Sequence, residues 1–307
     1  MTAAALPPGL TVFERGWLSS NNVLLRGDAG PTTLVDSGYF THAGQTLALV
    51  DKVLQGDSLD LLINTHLHSD HCGGNAALQA HYPALQTVIP PGEAEAVARW
   101  DEGALSFEGT GQHCPRFRHD RLLTPGTDVA LGGQRWQVHA APGHDPHSLI
   151  LFEPRTQALI SADALWQSGF GVVFPELVGE PGFDQVAATF DLIERLAPRV
   201  VIPGHGPVFH DAASALHVAR GRLERQAKAP EKHAWHAMKV LLKFKLLELG
   251  QADRSALRHW FGATPYMALV QQRYFNGTTP SCMFDQLVDE LTQSGAVKTE
   301  DGRLTNS

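Results

Sequence analysis

Apolar positions in this chain follow two rhythms, and they divide it. Over the first two thirds, short apolar runs bounded by Gly, Asn, Asp or Pro predict strands at 11–13, 22–25, 32–35, 59–64, 88–90, 129–131, 136–140, 148–152, 158–161 and 200–202. Gly132-Gly133 closes two of them into a hairpin. Between the strands, helical spacing predicts helices at 45–54, 75–82, 93–100 and 184–196, the last ended by Pro198. The early strands read as an antiparallel sheet, and the alternation that follows adds a βα character, an α/β chain overall. Past Asp211 the pattern turns helical, at 212–225, 231–249, 254–261, 266–275 and 283–294, and the tail 295–304 reads as a small hairpin about Asp301-Gly302. Residues 101–121 carry no period and are expected to form a loop or flap.

Length and charge narrow the picture. The 307 residues suffice for one large domain or two. No apolar run reaches membrane-span length, which predicts no membrane partner, and residues 1–10 lack the pattern of an export leader. Cys72, Cys114 and Cys282 are odd in number and widely spaced, which suits a reducing cytoplasm rather than a disulfide framework. The net charge of −8 argues against whole-chain attraction to nucleic acid. From Asp211 to Gly250, however, eight Lys or Arg face four acids, a local excess of four that leaves the rest near −12. A solvated basic helix face is the plain explanation.

The chemistry concentrates in Thr65-His66-Leu67-His68-Ser69-Asp70-His71-Cys72-Gly73-Gly74. Four metal-capable side chains fall within six residues, as His-x-His-x-Asp-His, on a loop between a predicted strand and a predicted helix. His66 and His68 can project together from extended backbone, whereas Asp70 and His71 follow the turn and point elsewhere. One segment can thus serve two neighbouring metal ions.

This segment resembles the signature of the metallo-β-lactamase superfamily. Further motifs stand in that family's order: Asp36 in Leu34-Val35-Asp36-Ser37-Gly38, His144 in Ala141-Pro142-Gly143-His144, Asp163 closing Leu159-Ile160-Ser161-Ala162-Asp163, and His205 in Val201-Ile202-Pro203-Gly204-His205-Gly206. The resemblance implies a four-layer αββα sandwich over residues 1–211. It implies two divalent metal ions, zinc first, with iron and manganese also suited to an all-N/O ligand set. His66, His68 and His144 are expected at one metal and Asp70, His71 and His205 at the other, with Asp163 between them. A water shared by the two cations would become hydroxide near neutral pH and act as nucleophile, with Asp70 orienting it and relaying protons. Asp36 is expected to orient site loops. His147 and His210 are expected at the surface or edge of the site, and Cys72 packed beside a helix start. Residues 212–307, helices followed by a β-ribbon, resemble a winged-helix module.

Departures from relatives narrow the activity. His68 stands where oxygen-reducing diiron relatives carry Glu, and Asp163 is present where β-lactamases of the superfamily lack it. Too few residues separate His144 from His205 for the inserted cap of the large nucleases. The leading expectation is hydrolysis of a small ester or thioester, as in the glyoxalase II-like branch, with Trp17, Phe40, Phe170 and Phe174 as apolar pocket wall. Trp166-Gln167-Ser168-Gly169-Phe170-Gly171 stands where glutathione-binding basic residues would follow Asp163, which speaks against glutathione itself. The alternative is an endoribonuclease resembling the small β-lactamase-like one, with RNA held by the C-terminal basic residues. A third reading, a regulatory protein that has lost catalysis, conflicts with the intact ligand set. A homodimer is also possible. Whether Arg220, Arg222, Lys239 and Lys243 line the metal cleft discriminates: cleft-lining residues favour RNA or an anionic carrier, and residues facing away favour a neutral ester.

Overall fold

The structure, a computed structural model, describes residues 6–27 and 30–306; residues 1–5, on which the leader expectation partly rests, lie outside them. Strands β1 (Leu10–Phe13), β2 (Asn22–Leu25) and β3 (Thr33–Val35) form an antiparallel meander. Helix α1 (Ala43–Leu54) then carries the chain back so that β4 (Leu61–Ile63) lies parallel to β3, with Ile63 opposite Val35. Parallel neighbours need such a crossover, because a tight turn cannot join them. The four-residue α2 (Ser69–Cys72) and α3 (Asn75–His81) lead to β5 (Gln86–Ile89). Helices α4 (Ala94–Arg99) and α5 (Phe107–Thr110) precede the two-residue β6 (Arg121–Leu122). The sheet runs β1-β2-β3-β4-β5-β6.

A second sheet begins with the predicted hairpin of β7 (Asp128–Leu131) and β8 (Gln134–Ala140) and adds β9 (Leu149–Glu153) and β10 (Ala158–Ala162), all antiparallel. After α6 (Phe174–Val178) and α7 (Phe183–Leu196), β11 (Val200–Pro203) joins parallel to β10. Inward residues of both sheets, among them Val35, Ile63, Trp136, Val138, Ile160 and Ile202, share one core. Outward residues Leu24, Leu34 and Leu62 of the first sheet pack under Val50, Leu54 and Leu78 of α1 and α3. Outward Ile150, Leu159 and Val201 of the second pack under Val186, Phe190 and Ile193 of α7. The period-2 alternation of the strands therefore feeds two different cores, which gives the αββα layering.

Helix α8 (Ala212–Lys228) shares the core under α7 through Ala215, Leu216 and Ala219. Helix α9 (Pro230–Leu249) opens a separate core with α10 (Arg254–Ala263), α11 (Pro265–Tyr274) and α12 (Pro280–Gln293). Strand β12 (Gln251–Asp253) joins the tail hairpin of β13 (Val297–Glu300) and β14 (Arg303–Asn306) in the order β12-β14-β13. Val172, just before α6, and Leu177 within it pack into this C-terminal core, so it abuts the segment that follows Asp163.

Residues 101–121 depart from the expected loose flap. Leu105, Phe107, Cys114 and Phe117 are buried with Leu67, Cys72, Ile89 and Val97. Their spacing has no period because each residue anchors an irregular path rather than one face of a helix. No helix among the described residues is long and apolar enough to cross a membrane.

Candidate metal centre

Every residue expected in the metal set follows the C-terminal end of a strand. β4 delivers His66 and His68, and α2 directly after them carries Asp70 and His71. β8 leads to His144, β10 to Asp163 and β11 to His205. The structure brings all seven together in two groups, His66 with His68 and His144, and Asp70 with His71, Asp163 and His205. Asp163 lies between them: its carboxylate is 3.3 Å from His144 Nε2 and 3.4 Å from His71 Nε2. Gly204 is required there, since a Cβ at that position would collide with Asp163 Oδ1.

The inward nitrogens test whether metal fits. His144 Nδ1 lies 2.6 Å from the Val172 carbonyl, which can only accept, so Nδ1 carries the hydrogen and Nε2 presents a lone pair. That lone pair sits 2.8 Å from His68 Nδ1, which is 3.2 Å from His66 Nε2. Three imidazole nitrogens converge with no acid between the first two, an arrangement that a shared cation satisfies. Burial first, then the neighbouring imidazoles, holds the His66 pKa well below its usual value and pushes His144 down to about 4, so both rings are neutral, the form in which an imidazole can bind a metal ion. In the other group, His71 Nδ1 donates to Asp36 Oδ2 at 2.8 Å, and its Nε2 is buried with no hydrogen-bond partner. Burial works against charge on His71, yet Asp163, Asp36 and Asp70 raise its pKa well above the ordinary value. Burial likewise opposes charge on Asp163, and His205, His71 and His144 overcome it, holding the carboxyl well below its usual range. This corner demands positive charge, a proton or a metal ion. The chemistry of the donors fits divalent cations.

Sequence reasoning missed several supports. Asp145 is buried beside the site, its Oδ2 3.8 Å from His68 Nε2. Asn21 clamps the His205 loop, its side-chain amide donating to the Pro203 and Gly206 carbonyls and its backbone N–H to the Gly204 carbonyl. The buried polar run Ser19-Ser20-Asn21-Asn22 is the signal that could have found it. Trp166 donates to Asp163 Oδ1 at 3.3 Å, and Trp17 stacks on His205 with ring centroids 5.5 Å from Trp166 and 5.6 Å from His205.

A cavity of about 1280 Å³ opens over the two groups. Trp17, Phe170 and Phe174 line it, whereas Phe40 packs against Tyr39 and His113 instead. His147 lines it half-buried, with its backbone held by Asp145, and His210 is exposed away from it. Arg222, Lys239 and Lys243 line the cavity, while Arg220 pairs with Asp191 and Glu194.

The sequence profile of the metallo-beta-lactamase superfamily matches residues 15–205, well over half the chain. The chain belongs to the metallo-beta-lactamase superfamily. It is 30% identical over 232 residues to a hydroxyacylglutathione hydrolase of Anaeromyxobacter dehalogenans, covering 74% of this chain and 77% of that one. It is 32% identical over 151 residues to a hydroxyacylglutathione hydrolase of Stenotrophomonas maltophilia, where the match spans 49% of this chain and about half, 48%, of the relative. Among solved structures, a metallo-beta-lactamase family protein of Thermus thermophilus shares the fold over 99% of this chain and 100% of its own, at TM-score 0.57 and 20% identity. The likeness therefore extends through the C-terminal helices as architecture. These relatives place the chain on the hydrolase side of the superfamily.

Proposed function

We propose that the chain is a metal-dependent hydrolase of thioesters. His66, His68 and His144 would hold one zinc ion, Asp70, His71 and His205 a second, and Asp163 would touch both. The observation that carries this is the convergence of seven donor side chains, six of them buried, around a His71 Nε2 that is left without a hydrogen-bond partner. Zinc takes imidazole nitrogen and carboxylate oxygen, the donors gathered here.

Two bound cations would supply a water acidic enough to ionise near neutral pH and would polarise the substrate carbonyl. The chain's own residues do the rest. Asp70 lines the cavity with Oδ2 3.0 Å from His205 Nε2, placed to accept and pass on the nucleophile's proton. On that side Trp17 stacks on His205 and Trp166 donates to Asp163. A thiol of pKa about 8.5 leaves as thiolate without a strong acid to protonate it, so a thioester asks least of this donor set. The hydroxyacylglutathione hydrolase relatives support the same bond type. In this reading residues 1–211 carry every ligand, and residues 212–307, winged-helix-like, supply one cavity wall. The cavity's mainly apolar lining favours a small molecule over RNA, and Arg222, Lys239 and Lys243 along it favour an anionic carrier over a neutral ester.

The test is a turnover screen on metal-reconstituted protein, with thioesters beside a single-stranded RNA, in wild type and His68→Ala. Thioester cleavage lost in the variant is the expected result. RNA cleavage lost in the variant, with thioesters untouched, would refute it.

A further inference from the structure

The cavity is larger than a small acyl group needs. Ligand pockets usually span about 300–1,000 Å³, and this one reaches about 1280 Å³. Its C-terminal wall is apolar, built by Val240, Phe244 and Leu247 of α9 with Tyr266 and Leu291.

Within that wall stands a cation without an acid. Arg222 lies over the Phe170 ring at 5.2 Å and against Gly169, where any side chain would collide with its guanidinium. Its hydrogen bond is to His236 Nε2 at 3.1 Å. His236 is pushed down to about 4 by burial and by Arg222, so it is neutral and accepts from the guanidinium. Among the described residues no carboxylate lies within salt-bridge distance of Arg222. A guanidinium has five N–H donors, and Arg222 lines the cavity with a single side-chain hydrogen bond, the one to His236. Half-buried and unpaired, such a charge is costly unless an anion completes it. Lys243 lines the same wall and donates to the Ala296 carbonyl rather than to an acid. Lys239 pairs with Glu290 at 2.8 Å. Glu180 and Glu290 are the acids on this wall, and Glu290 is occupied by Lys239 and Trp235. Arg222 packs on Gly169 of the turn whose Trp166 bonds Asp163, and it lines the same cavity as His144, Asp163 and His205.

We propose that the substrate is an amphiphile, with a bulky apolar group seated along α9 and an oxyanion held by Arg222 with Lys243 beside it. This rests on the thioesterase reading. The oxyanion can belong to the acyl chain, as a distal carboxylate, or to the thiol half, as a carboxylate or phosphate; the chemistry at Arg222 is the same.

The experiment uses metal-loaded full-length protein and Arg222→Gln. Substrates are dodecanoyl thioesters of N-acetylcysteamine, 3-mercaptopropionate and coenzyme A, the N-acetylcysteamine monothioester of dodecanedioate, and acetyl-N-acetylcysteamine. Wild type is expected to prefer a dodecanoyl over the acetyl thioester, and an oxyanion-bearing over the neutral dodecanoyl thioester. Arg222→Gln should shrink that second preference ~10-fold or more, the worth of a charged hydrogen bond, and the substrate that loses locates the oxyanion. Equal use of acetyl and dodecanoyl thioesters, or a preference unchanged in the variant, overturns the proposal. Should no thioester be cleaved, the functional reading fails, and binding still decides this one. Tryptophan fluorescence titrated with dodecanoate and dodecanol should show dodecanoate binding ~10-fold weaker to Arg222→Gln while the dodecanol affinities match. Equal dodecanoate affinities refute it. If Arg222→Gln does not fold, Lys243→Gln reads the same ratios, with a smaller loss expected and no loss refuting.

Discussion

Asp36 Oδ2 accepts the Nδ1–H of His71 at 2.8 Å while Asp36 Oδ1 accepts the backbone N–H of Thr65 at 2.9 Å. One carboxylate therefore fixes both ends of the ligand loop, just before His66 and at His71. It does so from a left-handed backbone, φ 58° at Asp36, a conformation that costs energy for any residue but glycine. Outer partners of this kind are worth about 10–100-fold in metal affinity. Asp36→Ala should lose that much in a competitive chelator titration; unchanged affinity would show that His71 is held by packing alone.

The two groups of donors should empty separately. His144→Ala is expected to retain one metal per chain, held by Asp70, His71, Asp163 and His205, and His205→Ala to retain the other, whereas Asp163→Ala should weaken both and stop turnover. Metal content after dialysis, by elemental analysis, reads this directly. Full double occupancy in any of the three would contradict the assignment of that residue.

Glu93 supplies a pH signature. Burial first, then Asp145, raises its pKa from the ordinary 4.5 to about 8. Between those values the folded chain keeps a proton that the unfolded chain has released, so its contribution to stability falls as pH rises through that window. In metal-free protein, Glu93→Gln should gain stability relative to wild type between pH 5 and pH 9, followed by urea midpoints. A difference between the two proteins that stays flat across that range would exclude the raised pKa.

The C-terminal wall depends on its own core. Phe284 of α12 is fully buried against Phe261 and the α9 residues. Phe284→Ala should cost about 3–5 kcal/mol, seen as a lower denaturation midpoint. A loss below ~1 kcal/mol would mean that the wall folds independently of this packing.

Short-range patterns were the legible part of the sequence. The His66–His71 run, the strand ends and the tail hairpin about Asp301-Gly302 needed only local spacing. Asp145 did not show, because an acid beside Pro146 reads as ordinary turn chemistry until β8 and β4 bring it to His68. Residues 101–121 hid their anchors for a related reason: Phe107 and Phe117 are buried by tertiary contacts with no period to betray them. β6 and β12 were too short to carry an alternation. Arg220 and Arg222 are indistinguishable in a basic helix, yet one meets Asp191 and Glu194 in solvent while the other turns over Phe170 into the cavity.

The donors come from both sheets: His66, His68, Asp70 and His71 follow β4 of the first, while His144, Asp163 and His205 follow β8, β10 and β11 of the second. Cations seated among them would bolt one sheet to the other across the open end of the sandwich, as a disulfide bolts two strands, but reversibly. Since a ligand that binds only the folded state stabilises it in proportion to the logarithm of its free concentration, the survival of this fold against heat and proteases would track metal supply. Starvation for metal would then remove the protein itself as well as its activity.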